Sequence, residues 1–313
     1  MRVFDIAQVH AAFDLIEPYI LRTPVLPFGD GMFGKAEHKQ RTGSFKVRGA
    51  LNKVLCLSAD EQARGVVCAS AGNHGLGVAY ACSLQNVRCT VVVPEGAPRI
   101  KLEQIEANGA ELIKVEGGYE QAERQGLSFA AAKGAVWISP YNDLDVIAGQ
   151  GTIALDLREQ LVEYQQNGLE VYVPASGGGL LCGLGLTLKQ SGFKCRVIGV
   201  QTESAPYLYA HWQGSSVGTV EEAPTLADGL AGPVEKGSIT LKLLKESADS
   251  MRLVTEGQIK DAMRWLAGRG EIVEPSAAVS VAAALAGGSS VPKVAILTGG
   301  NVDHGLWRKV TTR

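Results

Sequence analysis

Short runs of branched apolar residues alternate along the chain with longer stretches in which apolar positions recur at helical spacing. That alternation predicts a mostly parallel sheet covered by helices on both faces. Six runs qualify as strands, at 65–69, 89–94, 111–115, 169–174, 196–201 and 293–297. Each is short and largely apolar, with Val or Ile prominent, as strands buried on both faces tend to be. Helical period marks 44–57, 73–84, 99–108, 119–132, 146–166, 179–190, 256–268 and 276–286. A further amphipathic segment between Asp5 and Glu17 predicts an N-terminal helix rather than a secretion signal. The stretch 211–236 has the least regular pattern and is expected to form a surface excursion or lid. No internal repeat or low-complexity tract interrupts the alternation.

Length turns this pattern into two lobes. At 313 residues the chain exceeds one ordinary core and suits two α/β units of roughly 100–200 residues each. The expected division is a large unit of 1–63 and 142–313 and a small mobile unit of 64–141, with the site in the cleft between them. Several helices begin directly after a strand and a glycine turn, where open α/β folds bind ligands.

Charge narrows the ligand. Lys plus Arg number 30 against 32 Asp plus Glu, so no excess charge draws the chain to nucleic acid or an anionic membrane. A small neutral or zwitterionic ligand fits better. The longest glycine-rich apolar stretch, 177–188, is shorter than the ~20 residues of a spanning helix. The six cysteines show neither CxxC pairs nor zinc spacing with the five histidines, and are expected to be buried thiols of a cytoplasmic protein.

Four segments could carry chemistry: TGSFKVRGA at 42–50, SAGNHG at 70–75, SGGGL at 176–180 and TGGN at 298–301. SGGGL follows a strand and opens a helix, so its amides could surround a phosphate. A flexible turn is the equally open alternative. Neither glycine segment completes GxGxxG, which weakens a nicotinamide oxidoreductase as an alternative. The spacing from Gly29 to Lys35 matches a P-loop, but Ala36 replaces the required hydroxyl and no predicted strand precedes it, so the match is treated as accidental. By spacing alone Lys46 is an ordinary lysine in the first turn of a helix capped by Thr42 or Ser44, and His74 is a hydrogen-bonded histidine near a helix start.

Taken in order, these stretches together with RTPV at 22–25, KAEHKQ at 35–40, AGQGT at 148–152, EPSAA at 274–278 and LTGGN at 297–301 resemble the fold-type-II pyridoxal-phosphate enzymes, in particular the serine/threonine dehydratase branch. The resemblance covers nearly the whole chain and implies a tryptophan-synthase-β-like pair of open twisted sheets, pyridoxal phosphate as cofactor and a homodimer. It implies that Lys46 forms the Schiff base and later shuttles the α-proton, that Phe45 packs against the cofactor ring and that Asn73 meets the ring hydroxyl. Ser176, Gly177, Gly178, Gly179 and Leu180 would form the phosphate loop, and Thr298 would face the pyridine nitrogen. Ser70, Ala71, Gly72, Asn73 and His74 would line the pocket for the substrate carboxylate.

The implied reaction is loss of water and then ammonia from a small β-hydroxy amino acid such as L-threonine or L-serine, giving a 2-keto acid. Phenylserine, hydroxyaspartate or a hydroxyectoine-derived amino acid are alternative substrates. Racemisation is a second reading, disfavoured because Ala71 stands where racemases of this branch commonly carry a serine. A non-catalytic regulatory protein that merely holds the cofactor is a third. Gln201 and Tyr207 occupy positions where metal-activated members carry carboxylates, so no metal is expected. Leu26–Lys35 looks short enough to have lost or trimmed an edge strand, and Ala277 replaces a usual glycine near the ring. Ending soon after LTGGN, the chain is not expected to show feedback control by isoleucine.

Overall fold

Every residue of the runs Val66–Ala69 and Leu169–Pro174 is buried, so two separate groups of strands are covered on both faces. The computed structural model describes residues 3–164, 168–288 and 290–312. The chain opens with α1 (Ile6–Ile16), the strands β1 (Val25–Gly29) and β2 (Met32–Lys35), then α2 (Lys46–Leu55) and α3 (Ala59–Arg64). A central stretch follows with β3 (Val66–Ala69), α4 (Asn73–Gln85), β4 (Cys89–Pro94), α5 (Arg99–Glu106), β5 (Glu111–Val115), α6 (Tyr119–Lys133) and β6 (Val136–Trp137). Next come α7 (Leu144–Gln160), β7 (Leu169–Pro174), α8 (Gly179–Gln190), β8 (Cys195–Thr202), α9 (Tyr207–Trp212) and α10 (Ile239–Ser247). The final elements are β9 (Ser250–Val254), α11 (Glu256–Ala267), α12 (Pro275–Ala286), β10 (Lys293–Ile296) and α13 (His304–Thr311).

The strands form two twisted sheets. One has the order β1-β2-β10-β7-β8-β9, parallel throughout except for the β1/β2 hairpin. The other, all parallel, has the order β5-β4-β3-β6. Apolar side chains of α7 and α8 fill one face of the six-stranded sheet, and those of α11 and α12 fill the other. The four-stranded sheet is sandwiched between α2, α4 and α5 on one side and α6 on the other. Glycine permits close helix crossings: a Cβ on Gly149 would lie 2.6 Å from the Arg48 carbonyl oxygen, so α7 reaches α2 backbone to backbone.

Several expectations need correction. The edge strand before the lysine is intact, because Gly29, Asp30 and Gly31 all adopt left-handed φ (88°, 49° and 69°) and close the hairpin in minimal length. The P-loop spacing is therefore a hairpin turn, and Lys35 is buried. Phe45, not Thr42 or Ser44, caps α2, with no side-chain bond to the helix amides. The predicted helix 146–166 ends at Gln160 and is followed by a 3₁₀ turn, Val162–Tyr164; positions 165 and 166 lie outside the described residues. Cys56 is exposed at the end of α2 rather than buried, and Cys195 is half-buried; the other four cysteines are buried. The irregular stretch 211–236 does form an excursion, with only short 3₁₀ turns at Val217–Thr219 and Asp228–Leu230 once α9 has ended. Among the described residues no helix is long and apolar enough to cross a membrane.

Candidate active site

Lys46 is the first residue of α2, and a cluster of buried charges holds it there. Two residues on, the fully buried Arg48 grips Glu37 through Nε and Nη2, both at 2.8 Å, and donates from Nη2 to Asp156 at 2.7 Å. Lys35 completes the group, donating to Asp156 at 3.2 Å, to Gln160 at 3.0 Å and to the Thr23 carbonyl at 2.7 Å. Two cations thus face two carboxylates in a dry interior. On the other side of Lys46, the Phe45 amide donates to the Thr298 carbonyl (3.0 Å), and Ser44 bridges Gly299. The turn after β10 therefore lies against the turn before α2.

Lys46 Nζ donates to the Pro140 carbonyl at 3.3 Å and lies 5.3 Å from the Phe45 ring centroid. Burial lowers its ammonium to about 8, against the pull of the nearby Glu274 carboxylate. A useful fraction of neutral amine is therefore present near neutral pH. The residue after Pro140 connects the lysine to the glycine loop: a Cβ on Gly177 would fall 2.2 Å from Tyr141 Cδ1, and one on Gly179 would be 2.9 Å from Tyr141 Cα. No side chain but hydrogen fits between Tyr141 and that loop. Gly178, with φ of 90°, turns the chain into α8, whose first intrahelical bond runs from the Cys182 amide to the Gly178 carbonyl. The preceding amides are left for another acceptor, and the helix dipole favours an anion there. Leu180 is buried in the adjoining core, against which Phe45 and Tyr141 pack.

The loop 70–72 leaves β3 and opens α4, with the Gly72 amide donating to Ser70 Oγ at 3.1 Å. Asn73 heads α4 and donates from Nδ2 to both oxygens of Glu274, at 2.9 and 3.0 Å. Its Oδ1 accepts from Asn301 Nδ2 at 2.7 Å, and Asn301 also donates to the Thr42 carbonyl. Burial raises Glu274 to about 7, with Asp228 adding to the shift while Asn73, Lys101 and Lys46 oppose it. His74 is buried; its Nε2 meets the Ile138 carbonyl at 3.0 Å, and desolvation, helped by the Lys46 charge, lowers it to about 3. It is neutral at physiological pH.

Ala71, Gly72 and Asn73 line a cleft together with Asp228, Glu274 and Asn301. Lys101 of α5 reaches across the rim to Asp228 at 3.3 Å. Lys46 and the loop 176–179 lie outside that lining. Glu274, Asn301, Pro140 and Tyr141 are site residues to which the sequence reading gave no role. Glu274 and Asn301 sit inside two of the singled-out segments, which is a usable signal; a backbone carbonyl such as that of Pro140 leaves none.

These groups suit a phosphorylated aldehyde: a half-buried amine, a glycine-walled anion site at a helix start, and a fixed amide donor. The family description "Pyridoxal-phosphate dependent enzyme" matches residues 16–299. The chain belongs to the pyridoxal-phosphate-dependent enzymes. It is 42% identical over 289 residues to the L-threonine ammonia-lyase of Thermotoga maritima, an alignment covering 91% of this chain and 71% of that protein. It is 37% identical over 318 residues to the serine racemase of Dictyostelium discoideum, covering 97% and 96% of the two chains. The solved structure of maize serine racemase superposes with a TM-score of 0.90 at 32% identity, over 98% of this chain and 97% of that one. The fold is thus the fold-type-II arrangement of parallel twisted sheets, and pyridoxal phosphate is the cofactor of a threonine-dehydratase-like enzyme. Among the described residues, no group of three or more His, Cys, Asp or Glu is placed to hold a metal ion. Gln201 donates to the Ala205 carbonyl and accepts from the Tyr209 amide, and the Tyr207 hydroxyl donates to Glu222.

Proposed function

We propose that this enzyme removes water and then ammonia from a small β-hydroxy amino acid such as L-threonine or L-serine, with Lys46 as cofactor anchor and proton carrier. The observation that carries the reading is the Lys46 amine, held by the Pro140 carbonyl with its ammonium lowered to about 8. Bound pyridoxal phosphate supplies a conjugated sink for the electron pair left when the α-proton departs. Lys46 Nζ, neutral in part at working pH, takes that proton. The amides of Gly177–Gly179 hold the phosphate, Phe45 packs on the ring and Asn73 donates to the ring oxygen. The Ser70–His74 loop, at the positive end of α4, receives the substrate carboxylate. Neutral His74 orients there without adding charge. Movement of the small unit, 64–141, toward the large one would close the cleft and expel water.

Two features favour elimination over racemisation. Ala71 has no proton to give, so the position where racemases of this branch commonly carry a serine cannot return one to the opposite face of the α-carbon. Thr298 would offer the ring nitrogen a neutral hydroxyl, which withdraws less charge from the α-carbon than a carboxylate partner would allow. Racemisation stays as the second reading because of the 37% identity with the Dictyostelium serine racemase. Incubation with L-threonine, L-serine, D-serine and threo-hydroxyaspartate, assaying both keto acid and chirality, separates them. Keto acid and ammonia without the opposite enantiomer are expected. Accumulation of the enantiomer with little keto acid would overturn the reading.

A further inference from the structure

We infer that Glu274 is a positioning residue whose carboxylate, with Asn301, locks the Asn73 side chain so that it offers the cofactor an N–H donor and never its carbonyl. This inference rests on the reading that pyridoxal phosphate sits beside Asn73. Both Glu274 oxygens lie on one side of Asn73 Nδ2, at 2.9 and 3.0 Å, so one N–H serves them and the second is left for a ligand. At the other end, Asn73 Oδ1 is occupied by the Asn301 amide, itself tied to the Thr42 carbonyl. Rotating the Asn73 amide by half a turn would set its oxygen against a carboxylate and its nitrogen against a second NH₂ group. Two repulsive contacts would replace two bonds, so the wrong orientation is strongly disfavoured. The ligand atom facing Asn73 must then be an acceptor, such as an ionised ring oxygen.

The site is built to admit this carboxylate. A Cβ on Gly299 would lie 2.5 Å from Glu274 Oε1 and 3.1 Å from Asn73 Nδ2, so glycine leaves room for the pair. The Glu274 amide donates to the Gly299 carbonyl at 3.0 Å, fixing the residue just before α12. The charged groups around it are Lys46 on α2, Lys101 on α5 and Asp228 in the excursion. Because burial brings its titration to about 7, the strength of the lock varies within the working pH range.

The test uses this chain loaded with pyridoxal phosphate and the variants E274L, E274Q and N301A. It measures the cofactor dissociation constant and the pH titration of the bound cofactor's visible absorbance. E274L and N301A should each raise the dissociation constant about tenfold, the effect of one lost oriented hydrogen bond. E274Q keeps a carbonyl for the same N–H and should stay within about threefold, yet lack the absorbance inflection near pH 7 expected of the wild type. Wild-type affinity in both E274L and N301A, or an inflection retained in E274Q, would overturn the inference. If the wild type itself takes up no cofactor at Lys46, the reading beneath it fails as well; if it does and the variants match it, the inference alone is wrong.

Discussion

Replacing Glu37 by glutamine changes one oxygen for nitrogen, yet it should be among the most damaging conservative substitutions in this protein. Arg48 and Lys35 are balanced by Glu37 and Asp156, and all four side chains are at most 1% exposed. Removing the Glu37 charge leaves two buried cations against one carboxylate, and breaks a bidentate pair with both bonds at 2.8 Å. Breaking such a pair from one side costs about 3–5 kcal/mol, a large share of the roughly 5–15 kcal/mol that holds a domain folded. At roughly 2 °C per kcal/mol for a chain of this size, the melting midpoint should fall by about 6–10 °C. Burial works to raise the Glu37 carboxyl, but the Arg48 and Lys35 charges, together with hydrogen bonds from Arg48 and Thr23, outweigh it and hold the group below the usual carboxylate range. Its stabilisation is therefore complete above that range and lost as pH falls through the depressed folded-state value, so the gap between wild type and E37Q should narrow in acid. The double variant E37Q/R48M, which removes both partners, should be less destabilised than E37Q alone. Scanning calorimetry of the three proteins at neutral and acid pH makes the comparison. A neutral-pH midpoint for E37Q within about 1 °C of the wild type would refute the reasoning.

Cofactor uptake by the apoprotein should accelerate with pH until the Lys46 amine is neutral, levelling above about 8; stopped-flow absorbance that is flat across that value would count against Lys46 as the attacking amine. Gly177→Ala drives a methyl into the Tyr141 ring, so it should cost about 1–3 kcal/mol and weaken cofactor binding, read by thermal shift with and without pyridoxal phosphate. Ala71→Ser supplies a proton donor in the substrate loop and should add measurable racemisation to the elimination, detected by chiral chromatography. Chelators should leave turnover unchanged, because both ends of the Gln201 amide are taken up by backbone groups; recovery of lost activity by magnesium would contradict this.

Much of the fold is legible because buried parallel strands require unbroken apolar runs. All six predicted strands exist, with ends shifted by at most a residue or so. The strands that escape notice lack such runs. β1 contains Pro27 and Gly29 and lies at an edge, β6 has two residues, and β9 closes the far edge with Arg252 half-buried. Among the helices, α3 is almost wholly polar and exposes every residue at least in part, so periodicity gives it no signature. At the site, motif order singles out Lys46, Asn73 and the glycine loop, whereas the groups that tune them come from remote parts of the chain. Pro140 lies 94 positions from Lys46, and Glu274 lies 201 from Asn73. Burial of Lys46, and hence its lowered titration, is a product of that tertiary closure, which local spacing does not encode.

The most direct measurement is borohydride reduction of the protein with pyridoxal phosphate, followed by peptide mapping. The phosphopyridoxyl label should be found on Lys46, one per chain, and disappear in Lys46→Ala while that variant keeps its fold. Label spread over exposed lysines, or label and turnover persisting without Lys46, would contradict the account.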